Sequence, residues 1–186
     1  DTNPNINLNK KLVKRKIHVF GTNINFTSDF VKPIPIGLEN AHIKLNGSLN
    51  HYNPLNLSRV VKDKKNILLV SFSLTSDVRV EYEKILISYG IANNKGLDLD
   101  TYRNLLARSY FVLSPPGNGI DCHRTWEAFY NNTIPVIEKK YYLFQHLNLP
   151  VLVVDNIKDF LNLSTYDKIN KYNSINSQRK EQIYMK

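Results

Sequence analysis

YFVLSPPGNGIDCHRTWEAFYNNTIPVI, residues 110–137, divides into four pieces of different physical character. The apolar run 110–114 has the make-up of a buried strand, and 115–119 is a turn rich in Pro and Gly. Residues 121 to about 130 read as a short helix, and 133–137 as a second strand. Strand, helix, strand is a βαβ unit, and such units carry their chemistry at the first turn. Asp121 is expected to cap the helix, its carboxylate accepting from backbone amides that lack an intrahelical partner. Cys122, Trp126 and Phe129 recur at helical spacing and predict an apolar stripe laid on the sheet, with Cys122 a small core residue.

His123 and Arg124 fall in the first turn of this helix, where the dipole is positive. Cations placed against that field make sense if an anion sits there. The free amides, the Gly117-Asn118-Gly119 backbone and the guanidinium would hold it together. Glu127 lies one turn further on, roughly 5 Å deeper at the rise of an α-helix. A carboxylate there can accept from two neighbouring ribose hydroxyls while the cation and amides hold a diphosphate. The plainer alternative stays open at this point: Arg124 and Glu127 as a solvated surface pair, and the Gly-rich turn as a connection.

Outward from this unit, 67–72 is a continuous apolar run of the kind found in buried parallel strands. A helix is predicted over 78–89, closing at Gly90, with Arg79 at its start as a second phosphate ligand. Another is predicted over 99–108, with Tyr102, Leu105 and Leu106 inward. A strand at 151–154 and short helices at 141–148 and 157–163 follow. On the amino-terminal side, 17–20 reads as a short strand, 31–36 as extended chain kept out of a sheet centre by Pro33 and Pro35, 46–56 as a loop and 55–62 as a short helix. The alternation predicts an α/β fold: a Rossmann-like, mainly parallel sheet with helices on both faces. Ligands of such sheets sit at the carboxyl ends of the strands, here Ser71 to Thr75 and Ser114 to Gly119. The chain divides into a polar segment (1–16), the Rossmann-like domain (17–163) and a helical tail (164–186).

The segment SPPGNGIDCHRTWEAFYNNTIPVI (114–137) resembles the signature of exostosin-like glycosyltransferases, a turn of the type S-P-R-G-N-G followed by D-C-H-R-T-W-E-A and I-P-V. KPIPIGLEN (32–40) and ILLVSFSLTSDVR (67–79) are similar to two further segments of the family, and the three together span most of 17–160. The resemblance implies one lobe of a GT-B type enzyme, the carboxyl-terminal half that binds a nucleotide sugar. It implies a UDP-sugar as donor, a glycan or other hydroxyl acceptor and no further cofactor. The donor site so implied comprises Ser71, Thr75, Arg79, Ser114, Gly117, Asn118, Gly119, Asp121, His123, Arg124 and Glu127. In GT-B proteins the general base comes from the facing lobe, so no catalytic residue is assigned, and a terminal helix packs across the cleft. One position departs: Pro116 stands where the family carries Arg, removing a phosphate or sugar contact.

Composition sets the outer bounds. The chain of 186 residues is long enough for one lobe and short of the two that a GT-B enzyme needs, so a further amino-terminal lobe is expected. Lys and Arg exceed Asp and Glu by 25 to 16, a net charge of +9, which favours anionic partners and allows peripheral contact with an acidic membrane. The run KKLVKRK at 10–16 reads as a solvated segment. A nucleic-acid-binding module is the alternative that this charge suggests, but no recognition motif accompanies it. Nor do Asp121, Cys122 and His123 form a catalytic triad, since adjacent helical residues point in different directions. A degenerate lobe that binds without catalysis remains a further alternative. A single cysteine points to a reducing compartment, hence cytoplasmic, or the Golgi lumen for a eukaryotic fragment. With no Asp-x-Asp pair read in the chain and no His/Cys cluster of metal-ligand spacing, no essential metal is expected, and no run approaches the ~18 apolar residues of a membrane span.

Overall fold

The computed structural model describes residues 14–15, 17–24, 28–39, 64–145 and 147–184. The loop expected at 46–56 and the helix at 55–62 lie outside the described residues, as do most of 1–16. Two short strands, β1 (Val19–Gly21) and β2 (Val31–Pro33), pair in parallel as a separate ribbon. The main sheet has four strands, β3 (Asn66–Leu69), β4 (Ser109–Leu113), β5 (Ile134–Glu138) and β6 (Leu152–Val154), all parallel and in chain order. The expected α/β architecture is the one observed.

Side chains alternate across a strand, so each apolar run feeds two cores. On one face Val70, Phe72, Phe111, Leu113, Ile134 and Val136 meet Tyr82 and Leu86 of α1 (Asp77–Ser88), Ile157 and Phe160 of α4 (Ile157–Leu161), and Tyr172 of α5 (Thr165–Tyr184). On the other, Leu69 and Val112 meet Leu106 of α2 (Leu99–Ala107) and Ala128 of α3 (His123–Tyr130). Each fully buried Phe or Leu is worth about 1.5–3 kcal/mol, enough to make the sheet a rigid base for the loops at its ends. Among the described residues no helix is long and apolar enough to cross a membrane.

Four expectations need correction. The ladder of β3 stops at Leu69, short of Phe72. Val70 to Phe72 stay buried but bond to the loop beyond α1. Asn94 N donates to Val70 O at 2.9 Å, and the Asn93 amide takes both the N–H and the C=O of Phe72 at 3.0 and 2.9 Å, standing in for a neighbouring strand. The helix expected at 141–148 is only a 3-10 turn, Lys139–Tyr141. Its apolar pattern is used differently: Phe144 turns in against Trp126 of α3, ring centroids 5.5 Å apart.

The other two corrections concern α3 and the tail. The face of α3 laid on the sheet is Thr125 and Ala128, whose small side chains let the helix approach β4 closely, while Trp126 and Phe129 stack edge to face on its flank. The tail does not cross the cleft; α5 packs at the amino ends of the strands. There Tyr172 is buried against Tyr110 and Phe111, its hydroxyl donating to Asn132 O at 3.1 Å. Through Tyr172 and Ile175 this helix is therefore part of the sheet's own core.

Candidate functional site

At the carboxyl ends of β3 and β4 lies an open cleft of about 950 Å³. Its floor is the extended chain after β3 and the Gly117–Gly119 turn after β4, and the amino-terminal ends of α2 and α3 point into it. The outer wall comes from the β1–β2 ribbon through Asn23 and Ile36. Of the residues singled out in sequence, Ser71, Thr75, Arg79, Gly117, Asn118, Gly119, Asp121, His123, Arg124 and Glu127 all line this one cleft. Ser114 does not line it: its hydroxyl is buried in a hydrogen bond with that of Thr125, 2.9 Å, which ties β4 to α3.

Arg124 sits in the first turn of α3. Its Nε and Nη1 are buried without any hydrogen-bond partner. A buried guanidinium normally has its donors satisfied, because leaving them unmade costs the full desolvation of a charged group. Arg124 shares the first turn of α3 with the amides of His123 and its own residue, which by helix geometry have no intrahelical acceptor, whereas Thr125 N already donates to Cys122 O at 3.0 Å. The combination is a cationic, donor-rich end of the cleft.

Glu127, one turn along, is 5 % exposed, and its Oε2 accepts from the Tyr102 hydroxyl of α2 at 2.8 Å. That bond fixes the carboxylate at the cleft wall and makes Tyr102, expected only as an inward core residue, part of the site. The Arg124–Glu127 surface pair weighed in sequence is absent, for Glu127 is buried and Arg124 is among no ion pairs of the described residues.

Asp121 does not cap α3. Cys122 occupies the cap position, with φ −124° and ψ 142° and no side-chain cap bond. The Asp121 carboxylate instead accepts from Ile36 N at 2.8 Å and from the Trp126 indole at 2.9 Å. Burial pushes its pKa up, against the pull of those two donors. Its own N–H donates to Asn23 Oδ1 at 2.7 Å, and His123 Nδ1 lies 2.8 Å from Gly37 O. A carbonyl only accepts, so that nitrogen carries the hydrogen. The β1–β2 ribbon, some 85 positions earlier in the chain, is thus latched onto the start of α3.

Two assignments change character. Cys122 is half-buried at the cleft, its thiol 3.7 Å from Arg79 Nη2, and is no core residue. Arg79 reaches the cleft wall, but its donors go to the protein: Nε to Pro116 O, 3.0 Å, and Nη1 to Ser73 O and Thr75 Oγ1, 3.1 and 3.2 Å. Burial lowers its pKa, with the charge of Arg124 adding to the effect. Ser71 likewise spends its hydroxyl on Asn94 O at 2.8 Å.

Sequence reasoning passed over Asn23, Ile36, Lys95 and Asp98, which also line the cleft. The expectation of no Asp-x-Asp pair needs correction, for Asp98-Leu99-Asp100 has that spacing. Asp98, however, caps α2 by accepting from Thr101 N and Oγ1 at 2.9 and 2.6 Å, and Asp100 pairs with Arg103 at the surface. Among the described residues no group of His, Cys, Asp and Glu is arranged to hold a metal. No protein-family model matches the chain, and no curated protein matches it.

Proposed function

We propose that the cleft binds a nucleoside-diphosphate sugar, and that the chain is the donor-binding lobe of a GT-B glycosyltransferase similar to the exostosin-like enzymes. The observation that carries this reading is Arg124 at the start of α3, half-buried with its Nε and Nη1 enclosed and unpartnered, one turn from the buried carboxylate of Glu127. A diphosphate takes the cation and the helix amides, and ribose hydroxyls donate to Glu127. In transfer, the bond from the sugar's anomeric carbon to the diphosphate oxygen breaks as the acceptor hydroxyl oxygen bonds that carbon. Charge builds on the departing diphosphate, and Arg124 with the α3 amides stabilises it. The acceptor is a glycan or other hydroxyl, and the single cysteine suits a reducing compartment such as the cytoplasm.

Asp121 and Glu127 are both engaged by protein donors, which favours donor binding over proton abstraction by this lobe. The base then belongs to a facing lobe, and a lobe that only binds is the second reading the same bonds support.

Calorimetry with UDP and uridine, in EDTA, tests the proposal. Arg124→Ala should weaken UDP by about ten-fold or more and leave uridine nearly unchanged, because only UDP offers the charge. Glu127→Ala should weaken both by similar factors. Equal affinities across the set would remove the nucleotide site. Binding that vanishes in EDTA would overturn the metal-free account and direct attention to Asp98 and Asp100.

A further inference from the structure

Resting on that reading, we infer that Arg79 is the positioning residue of the phosphate-binding turn, a clasp held behind it and not a ligand in front of it. The sequence of the turn explains the need. Pro115 and Pro116 have no N–H, so these two residues offer carbonyl acceptors and no main-chain donor of their own, and the nearest donor, Gly117 N, is used within the turn on Gly119 O at 3.0 Å. A guanidinium brings five donors in a fixed fork.

The fork of Arg79 is spent on this segment and its neighbour. Nε donates to Pro116 O at 3.0 Å, Nη2 to Pro115 O at 3.5 Å and towards Cys122 Sγ at 3.7 Å, while Nη1 reaches Ser73 O and Thr75 Oγ1 in the turn after β3. Ser76, the N-cap of α1, adds a second donor to Pro116 O at 3.1 Å. One side chain therefore locks both turns that floor the cleft. Its positive charge also offsets carbonyl dipoles that would otherwise oppose a bound anion.

Gly117 fits this arrangement sterically. A Cβ built there would lie 2.6 Å from Arg79 Nη2 and 2.9 Å from Cζ, so the guanidinium occupies the space of the missing side chain. The two positions are then energetically one unit, and a substitution at either should undo the same geometry.

A double-mutant cycle on the full chain tests this, read by UDP and uridine calorimetry and by thermal unfolding. Arg79→Ala should weaken UDP about ten-fold, or about 1.4 kcal/mol, with uridine changed less than two-fold. Arg79→Lys keeps the charge without the fork and should stay within about three-fold of Arg79→Ala. Gly117→Ala should weaken UDP and lower Tm in the wild type, and add nothing in the Arg79→Ala background.

Full recovery of UDP binding by Arg79→Lys would show that charge alone matters and overturn the clasp. So would equal losses for UDP and uridine, or a Gly117→Ala penalty that simply adds to that of Arg79→Ala. Should Arg79→Ala fail to fold, Arg79→Lys and Gly117→Ala carry the same comparison. Absence of UDP binding by the wild type overturns the nucleotide reading, and this inference with it. UDP binding that Arg79→Ala leaves intact overturns this inference alone.

Discussion

At the amino ends of β3, β4 and β5, the ammonium of Lys64 donates to Ser109 O at 2.7 Å, Ala107 O at 3.1 Å and Thr133 Oγ1 at 3.1 Å, and lies over the Tyr172 ring. At the carboxyl ends, the guanidinium of Arg124 has two buried nitrogens with no partner. The same sheet thus holds two half-buried cations in opposite ways. The Lys64 end is closed on itself, with Thr133 donating on to Leu106 O at 2.6 Å and Tyr172 to Asn132 O at 3.1 Å. The Arg124 end is left short of an anion. A fold that tolerates an unmet cation at one end draws its stability from the other, and stability and binding should separate along the strands.

The largest effect expected from this contrast is at Lys64. Lys64→Met keeps the aliphatic stem and removes the donor, leaving the Ala107 and Ser109 carbonyls to be desolvated without it. A cost of about 3 kcal/mol in urea unfolding is expected, with UDP affinity unchanged. Loss of UDP binding in a folded Lys64→Met protein would break the separation of the two ends.

Arg124→Leu should do the reverse. Replacing a half-buried cation that has two unpartnered nitrogens with an apolar side chain should raise stability, by about 1 kcal/mol at most, while UDP binding is lost. A destabilised Arg124→Leu would mean that the guanidinium is satisfied within the protein, and the case for an anion would fail with it.

Much of this arrangement is legible in the chain, and the failures have physical causes. The runs at 67–72, 110–114 and 133–137 are short and apolar, the composition of buried strands, which places the loops after them at one end of a parallel sheet, although the first overruns its strand by three residues. Arg124 and Glu127 are three apart on a helix, so their approach to the same cleft follows from local geometry. Arg79 lines the cleft as its place at the start of α1 suggests, but its bonds to main-chain carbonyls are not legible, because every residue carries such acceptors and no sequence marks them. Asp121 was misread because the amide it serves belongs to Ile36, and nothing local announces that the ribbon returns there. Ser114 was misread through strand alternation: it follows Leu113 at the end of β4, and its hydroxyl turns under α3 to Thr125 instead of up to the cleft.

The smallest effect is a matter of pH and belongs to the latch between the ribbon and α3. Burial raises the Asp121 carboxyl above its ordinary value of 3.8, and the hydrogen bonds from Ile36 N and Trp126 only partly restrain it. With a raised pKa the folded chain keeps a proton that the unfolded chain has released. The stability tied to this group is then fully present below 3.8 and is lost as pH rises through the folded value. Asp121→Asn cannot titrate, so the stability of the wild type relative to this variant should decline as pH is raised from below 3.8 towards neutrality. Urea unfolding of the two proteins across that range measures the difference directly. A difference that grows with pH would mean that the two donors outweigh burial and that the carboxylate is held as an anion. Asp121 would then resemble the satisfied charge of Lys64 more than the unmet one of Arg124, and the boundary between the closed and the open end of the sheet would run between residues 121 and 124 of a single turn.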